Sequence, residues 1–348
     1  MIRVADRVRQ YAIRTALITA AVTLLLALLL VLLWRDRPSL QSIDWPAAII
    51  AEANSEQVRV TWLGVSMLLI DDGETQLLID AFVSRPGLWE SLLRLDVASD
   101  IPQIDAVMHD FNMRRLAAII PAHSHYDHAM DVGAFANRSS ASVLGSESTL
   151  NIARGANVPA DQLLLAEPGE PYTFGEFIVT LHESPHGPIG WRGGTPLPGE
   201  LDEPLVLPAT ISEMREGGSF SIVVSHPQGT LLIQSSAGIN ADALEDVQAD
   251  VVFLGMGLLE SLGRSYAERY WQAHVTATGA SRVFPLHFDD LTRPFGEIVP
   301  MPRIIDDFED TARWLTEFQQ TWDKDVSLHL PVFGRPIAVY ASAPEPSS

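Results

Sequence analysis

Between Pro121 and His128 the chain reads Pro-Ala-His-Ser-His-Tyr-Asp-His, which places His123, His125, Asp127 and His128 within six positions. Imidazole and carboxylate are the side chains that hold zinc, iron or manganese, so this run is a candidate metal site. An apolar run at 117–120 directly precedes it and reads as a buried strand. Side chains two apart in extended backbone project from one side, which aims His123 and His125 at a common point. The chain is then expected to turn into a helix, so that Asp127 and His128 face a second point nearby.

The elements that must position these residues can be read on either side. Short β-rich runs at 58–62, 66–70 and 76–79 are separated by Gly64 and by Asp71-Asp72-Gly73, a hairpin signal, and the third ends at Asp80. A helix is expected near 88–95, a weaker segment over 104–115, a strand at 142–144 and a helix over 147–153. The strand at 177–181 carries His182, Glu183 and His186 at or just past its end. Residues 187–218 lose periodicity, with Pro188, Pro196, Pro198, Pro204 and Pro208 interleaved with glycines, and read as a long functional loop or lid. Strands follow at 220–225, 230–234, 251–254 and 282–286, the last ending at His287, with helices expected over 241–247, 264–277 and 306–322. Apolar Phe308, Ala312, Leu315 and Phe318 recur three or four apart, which makes the last helix amphipathic. Extended character returns over 327–339.

Hairpin-ordered strands followed by strands alternating with helices occur in both halves. That order predicts an α/β fold of two mixed sheets packed face to face with helices outside. Loops at strand ends converge on one edge of such a scaffold, so Asp80, the His123–His128 run, His186 and His287 are expected to meet there. His182 is an alternative to His186. His109, His226, His274 and His329 lack this context and are read as surface or structural groups.

Composition narrows the function classes. The chain has 348 residues, 47% of them hydrophobic, and a formal net charge of −21, which disfavours a nucleic-acid partner. It has no cysteine, so disulfides, thiolate metal sites and a cysteine nucleophile are excluded. Residues 16–34 are an apolar run interrupted only by Thr19 and Thr23, long enough to span a bilayer as a helix. Arg3, Arg7, Arg9 and Arg14 precede it; Arg35 and Arg37, with Asp36, follow. The flank favours a cytoplasmic N-terminus and a body on the periplasmic or extracellular side. The absence of a small-x-small site favours an uncleaved anchor over a signal peptide. The expected organisation is a stub and anchor over 1–37, a linker over 38–55, a folded domain over 56–342 and a loose tail over 343–348.

The order of these pieces resembles the metallo-β-lactamase superfamily of metal-dependent hydrolases, over roughly residues 58–290. Thr61-Trp-Leu-Gly64, Leu78-Ile-Asp80, the histidine run, Ser184-Pro-His186 and Phe284-Pro-Leu-His287-Phe-Asp289 are most similar to the branch containing N-acyl-phosphatidylethanolamine phospholipase D and ascorbate-6-phosphate lactonase. The resemblance implies a four-layer αβ/βα sandwich. It implies one metal held by His123, His125 and His186 and a second held by Asp127, His128 and His287. Zinc is expected, one ion or two, with manganese or iron as alternatives. Asp80 would orient the histidines, and Asp127 would accept or return a proton as metal-activated water attacks.

Two positions depart from the family pattern. Ser236, in Leu232-Ile-Gln-Ser-Ser-Ala-Gly238, stands where an Asp bridges two metals, and Asp289 or Asp290 is the candidate to compensate. Gly64-Val65-Ser66 replaces a Gly-His-Ser element and is expected to remove a polar group near the entrance. The expected function is a membrane-anchored hydrolase opening an ester, phosphodiester or lactone bond in a small or lipid-like substrate. A metal-binding member without turnover and a true β-lactamase are the alternatives.

Overall fold

The computed structural model describes residues 2–46, 48–51 and 57–340. The expected tail at 343–348 and residues 52–55 of the expected linker lie outside the described residues. The first half supplies β1 (Arg59–Trp62), β2 (Leu68–Asp71), β3 (Gln76–Ile79), β4 (Asp96–Val97), β5 (Leu116–Ile120), β6 (Ser142–Gly145) and β7 (Leu163–Leu165). The second supplies β8 (Pro171–Phe174), β9 (Phe177–Ser184), β10 (Ala209–Thr210), β11 (Ser219–His226), β12 (Gly229–Gln234), β13 (Val251–Gly255), β14 (Arg282–Leu286), β15 (Ser327–Leu328) and β16 (Pro336–Ala338). The helices are α1 (Ile2–Arg35), α2 (Leu88–Leu93), α3 (Ile101–Asp110), α4 (Tyr126–Ala129), α5 (Val132–Ser139), α6 (Glu147–Gly155), α7 (Leu259–Leu262), α8 (Arg264–Trp271) and α9 (Phe308–Trp322).

Two seven-stranded sheets form, ordered β16-β1-β2-β3-β5-β6-β7 and β15-β14-β13-β12-β11-β9-β8, while β4 and β10 pair as a short ribbon. Each large sheet is antiparallel on one side and parallel on the other, the change falling at β3 in the first and β12 in the second. Alternation sorts the side chains. Leu68 and Ile70 of β2 and Leu77 and Ile79 of β3 join Val179, Leu181, Ile222 and Ile233 in the core between the sheets. Leu69, Leu78, Ile119 and Val143 point the other way and pack with Ile104, Val107, Phe135 and Leu150 of α3, α5 and α6. Tyr270 and Trp271 of α8 and Phe308, Leu315 and Phe318 of α9 are buried with Val252, Phe253 and Phe284 of the second sheet. Truncating a fully buried aromatic such as Trp62 leaves a cavity that costs about 3–5 kcal/mol.

Several elements differ from expectation for local reasons. The weak segment at 104–115 is helix α3, which begins earlier because Asp100 caps it by accepting from Gln103 N and Pro102 sits in its first turn. The helix expected over 241–247 reduces to a single 3-10 turn, Asp242–Leu244. The helix expected over 264–277 changes at Gln272 into a π turn, Gln272–Thr276. Strands β7 and β8 carried no alternation strong enough to read; both lie at sheet edges, where Pro171 is tolerated. Residues expected as a linker run against the body: Trp45 Nε1 donates to Thr316 Oγ1 (2.9 Å), Ala51 N donates to Pro336 O (2.9 Å), and Ile50 bridges to Ile337.

Candidate metal centre

All the strand ends identified from the sequence open on one edge. β3 and β5 are parallel neighbours, so Asp80 and the histidine run emerge side by side. Asp80 Oδ1 accepts from Ala122 N (2.8 Å), which fixes the backbone one residue before His123. His125 is extended (φ −61°, ψ 155°) and stands at the start of α4, so Asp127 and His128 fall within that helical turn. His186 follows β9 and His287 follows β14.

The structure gathers these six side chains into two trios. His123, His125 and His186 offer ligand atoms within 4.8 Å of one another, and so do Asp127, His128 and His287. Hydrogen bonds to carbonyls fix two tautomers of the first trio. His125 Nε2 donates to Pro196 O (2.9 Å) and His186 Nδ1 donates to Gly187 O (2.9 Å), leaving His125 Nδ1 and His186 Nε2 as lone pairs. His125 Nδ1 faces His123 Nε2 at 2.9 Å, and the buried Nδ1 of His123 has no partner. Burial holds His123 well below the usual imidazole range, lowers His125 and pushes His186 down to about 3, so all three rings are neutral donors. Converging neutral imidazoles with free lone pairs fit a divalent cation.

The second trio is built differently. His128 Nδ1 donates to Asp80 Oδ2 (2.8 Å), with Ser66 Oγ 3.1 Å from the same nitrogen, which turns Nε2 toward Asp127 Oδ2 at 3.4 Å. His287 Nε2 lies 3.1 Å from that same oxygen. Burial opposes charge on His128, but the carboxylates of Asp80 and Asp127 outweigh it and raise the ring to about 10. Burial likewise acts to raise Asp127, and His128 and His287 overcome it, holding the carboxyl well below its ordinary range. A carboxylate beside two imidazoles fits a second cation, which would displace the proton on His128.

His287 is held by strained backbone. It has φ 59° and donates its N–H to Val65 O (2.8 Å), while Val65 itself has φ 49°. Positive φ at a β-branched residue is costly and survives only where surroundings enforce it. Asp289 Oδ1 accepts from Val65 N (2.8 Å) and Trp62 Nε1 donates to Val65 O (3.0 Å). Gly257 closes the other side: a Cβ there would lie 2.7 Å from His287 Nδ1. Gly257 was missed in the sequence, and Ser66, named there within Gly64-Val65-Ser66, was given no contact to His128, because neither contact follows from local spacing.

Three expectations are corrected. His182 sits within β9 opposite Ser221, away from the histidine cluster, because β9 continues to Ser184. Asp289 and Asp290 do not compensate for Ser236: Asp289 pairs with buried Arg85 (3.1 Å) and Asp290 with Arg37 (2.8 Å). Val65 is not at an entrance; it is buried with Phe82, Met130 and Met214. Ser236 does line the cavity beside both trios, its Oγ accepting from Gly187 N (2.9 Å). Among the described residues a third group, Asp72, Glu176 and His226, lies at the opposite edge. His226 Nδ1 accepts from Gln228 N, so a neutral ring carries its proton on Nε2 and has no lone pair for a metal there.

The trios open into a cavity of about 260 Å³ lined by Tyr126, Ile189, Leu197, Leu258, Leu291 and Met301, with no lysine or arginine in its wall among the described residues. A wider groove of about 690 Å³ reaches His186 from the other side and carries Glu147, Glu183, Glu200 and Glu216.

Asp306 supports this wall. Its Oδ2 accepts from Leu258 N (3.1 Å), its Oδ1 is buried without a partner, and burial pushes the carboxyl up to about 7. A folded-state value above the unfolded one means stability is full below about pH 4 and is lost as pH rises through about 7, at about 1.4 kcal/mol per unit. Asp306→Asn removes that loss. Its urea midpoint is expected to gain on the wild type between pH 5 and pH 8; a difference independent of pH contradicts this.

No family model and no curated protein matches the chain. Solved structures do. A possible metal-dependent hydrolase from Veillonella parvula DSM 2008 superposes with a TM-score of 0.51 over 81% of this chain and 99% of the other, at 12% identity. The metallo-β-lactamase fold protein YhfI of Bacillus subtilis gives 0.48 over 80% and 98%, at 16% identity. Igni18, a metallo hydrolase from the archaeon Ignicoccus hospitalis, gives 0.48 over 81% and 97%, at 13% identity. At such identities the likeness is one of fold. The chain shares the fold of the Veillonella protein, and its N-terminal helix contains a stretch, Arg9–Arg35, long and apolar enough to cross a membrane.

Proposed function

We propose that the chain is a membrane-tethered, metal-dependent hydrolase that opens an ester, phosphodiester or lactone bond in an amphiphilic substrate. The observation that carries this reading is the pair of trios, His123, His125 and His186 beside Asp127, His128 and His287, opening into one cavity. Metal ions bound there would supply Lewis acidity and bring the pKa of a coordinated water toward neutrality. Zinc suits the donor set, with iron or manganese as alternatives.

This chain's own residues then do the following. Asp80 and Ser66 hold the His128 ring by its Nδ1 and leave Nε2 facing the second trio. Asp127, kept ionised at neutral pH, takes a proton at a carboxylate oxygen and returns it to the leaving group. The apolar wall formed by Ile189, Leu197, Leu291 and Met301 excludes water and accepts hydrocarbon next to the scissile bond. That wall and the apolar α1 favour a lipid-derived substrate, as in the branch containing N-acyl-phosphatidylethanolamine phospholipase D. The flanking arginines favour a body on the periplasmic or extracellular side.

Metal removal tests the reading. The full chain in detergent, stripped with a chelator and reloaded with zinc, manganese or iron, is assayed on bis-p-nitrophenyl phosphate, a p-nitrophenyl acyl ester and a simple lactone. Turnover of at least one substrate is expected to vanish on stripping and to return on reloading. Tight metal retention without turnover on the whole panel would instead support a non-catalytic metal-binding protein lacking the bridging carboxylate at Ser236.

A further inference from the structure

We propose that the edge carrying the metal centre rests on the lipid surface, with α2 and Ile304–Ile305 seated in the head-group layer of the bilayer that α1 crosses. This rests on reading α1 as a membrane span; it is independent of the hydrolytic chemistry.

The span does not lead into a free tether. α1 ends at Arg35, and the next residue already contacts the body: Arg303 N donates to Asp36 O (2.9 Å), and Arg303 Nε lies 3.6 Å from the Asp36 carboxylate. Arg37 follows with Nη1 donating to Pro300 O (2.5 Å) and Nη2 pairing with Asp290 (2.8 Å), both side chains largely buried. The contacted segment begins directly after His287 and supplies Leu291 and Met301 to the cavity wall. Two residues reach at most about 7 Å, so the Arg37 backbone stays within that distance of the helix end, and its side chain holds Asp290 and Pro300, the sequence neighbours of Leu291 and Met301.

The same edge displays the apolar side chains a lipid surface would cover. No residue of α2 is buried, and Trp89, Leu92 and Leu93, three or four apart on one face, are 69%, 63% and 63% exposed. Ile304 and Ile305, next to Arg303, are 49% and 40% exposed. The chain leading into α2 is fixed by the buried Arg85–Asp289 pair, whose carboxylate is adjacent in sequence to the one that holds Arg37. One turn, Asp289-Asp290, therefore ties the exit of the span to the approach of α2. Grouped large apolar side chains on a protein surface mark a contact, and tryptophan favours the membrane interface. Arg35 and Arg94, which close α1 and α2, add cations suited to anionic head groups. A lipid substrate would reach the apolar cavity without crossing water.

The absence of cysteine makes the test direct. Leu26→Cys, Leu92→Cys, Ile304→Cys and Glu176→Cys are introduced singly in the full chain, spin-labelled and reconstituted into phosphatidylcholine–phosphatidylglycerol vesicles. Glu176, in the turn between β8 and β9 at the opposite edge, is the aqueous reference. Labels at 26, 92 and 304 are expected to collide at least several-fold more with oxygen, relative to a water-soluble nickel chelate, than the label at 176. A protected label at 26 with labels at 92 and 304 as open to nickel as 176 overturns the proposal and leaves the span intact. An aqueous label at 26 overturns the span, the tether and this proposal together, and leaves metal-dependent hydrolysis to its own test.

Discussion

Alanine at both His123 and His125 is expected to abolish metal retention by the three-imidazole trio and to lower kcat/KM at least a thousandfold, about 4 kcal/mol of transition-state stabilisation. The physical reason lies in what remains. His186 alone would face the site, and one neutral imidazole does not hold a divalent cation against water. The body should survive the change, because the His123 Nε2–His125 Nδ1 contact (2.9 Å) lies within the pair itself and the one bond given up to the rest of the chain is that from His125 Nε2 to Pro196 O. Kinetics with metal analysis, and a thermal melt as the folding control, decide it. A folded double variant with activity within threefold of wild type would remove these histidines from the chemistry.

Asp80→Asn is expected to have the second-largest effect, a fall of about a hundredfold in activity with weakened retention of one ion. The substitution keeps the shape and can still accept from Ala122 N, but it presents an amide N–H₂ to His128 Nδ1 where a carboxylate oxygen now sits 2.8 Å away. The ring responds by moving its proton to Nε2, the nitrogen that faces Asp127. A protonated nitrogen cannot ligate, so the second trio loses a donor while every side chain stays in place. Metal titration of the two proteins reads this without reference to substrate. Equal affinities for both ions would show that Asp80 merely ends a strand.

The pattern of agreement between sequence and structure has a physical basis. β3, β5 and β14 were legible because each is a short, largely buried run with a polar residue of distinct chemistry one to three positions past its end. Their convergence follows from parallel pairing, which carries successive strand ends to the same edge. His182 misled because alternation in β9 persists beyond the apolar stretch, leaving a half-buried histidine inside a strand. The supporting contacts were not legible. Ser66 on His128, Gly257 against His287 and Asp289 on Val65 each join residues far apart in the chain, and a serine or glycine has no spacing signature that predicts such a contact. The attachment of Asp36 and Arg37 was hidden for the same reason, since a Pro-containing stretch after an apolar helix reads as a tether whether or not it is docked.

The buried Arg85–Asp289 pair shows how the two halves of this edge depend on each other. Removing one partner leaves an uncompensated buried charge, a change that costs about 3–5 kcal/mol. Removing Asp289 would also free Val65 N, and the Val65 carbonyl holds the backbone of His287. Packing beside α2 and ligand geometry at the metal centre are thus set by one ion pair.

Anomalous diffraction from crystals of the full chain, collected at the absorption edge of the metal it retains, tests the central claim most directly. A peak enclosed by His123 Nε2, His125 Nδ1 and His186 Nε2 is the expected result. A map with no peak among these three imidazoles, from protein that carries stoichiometric metal elsewhere, would contradict it.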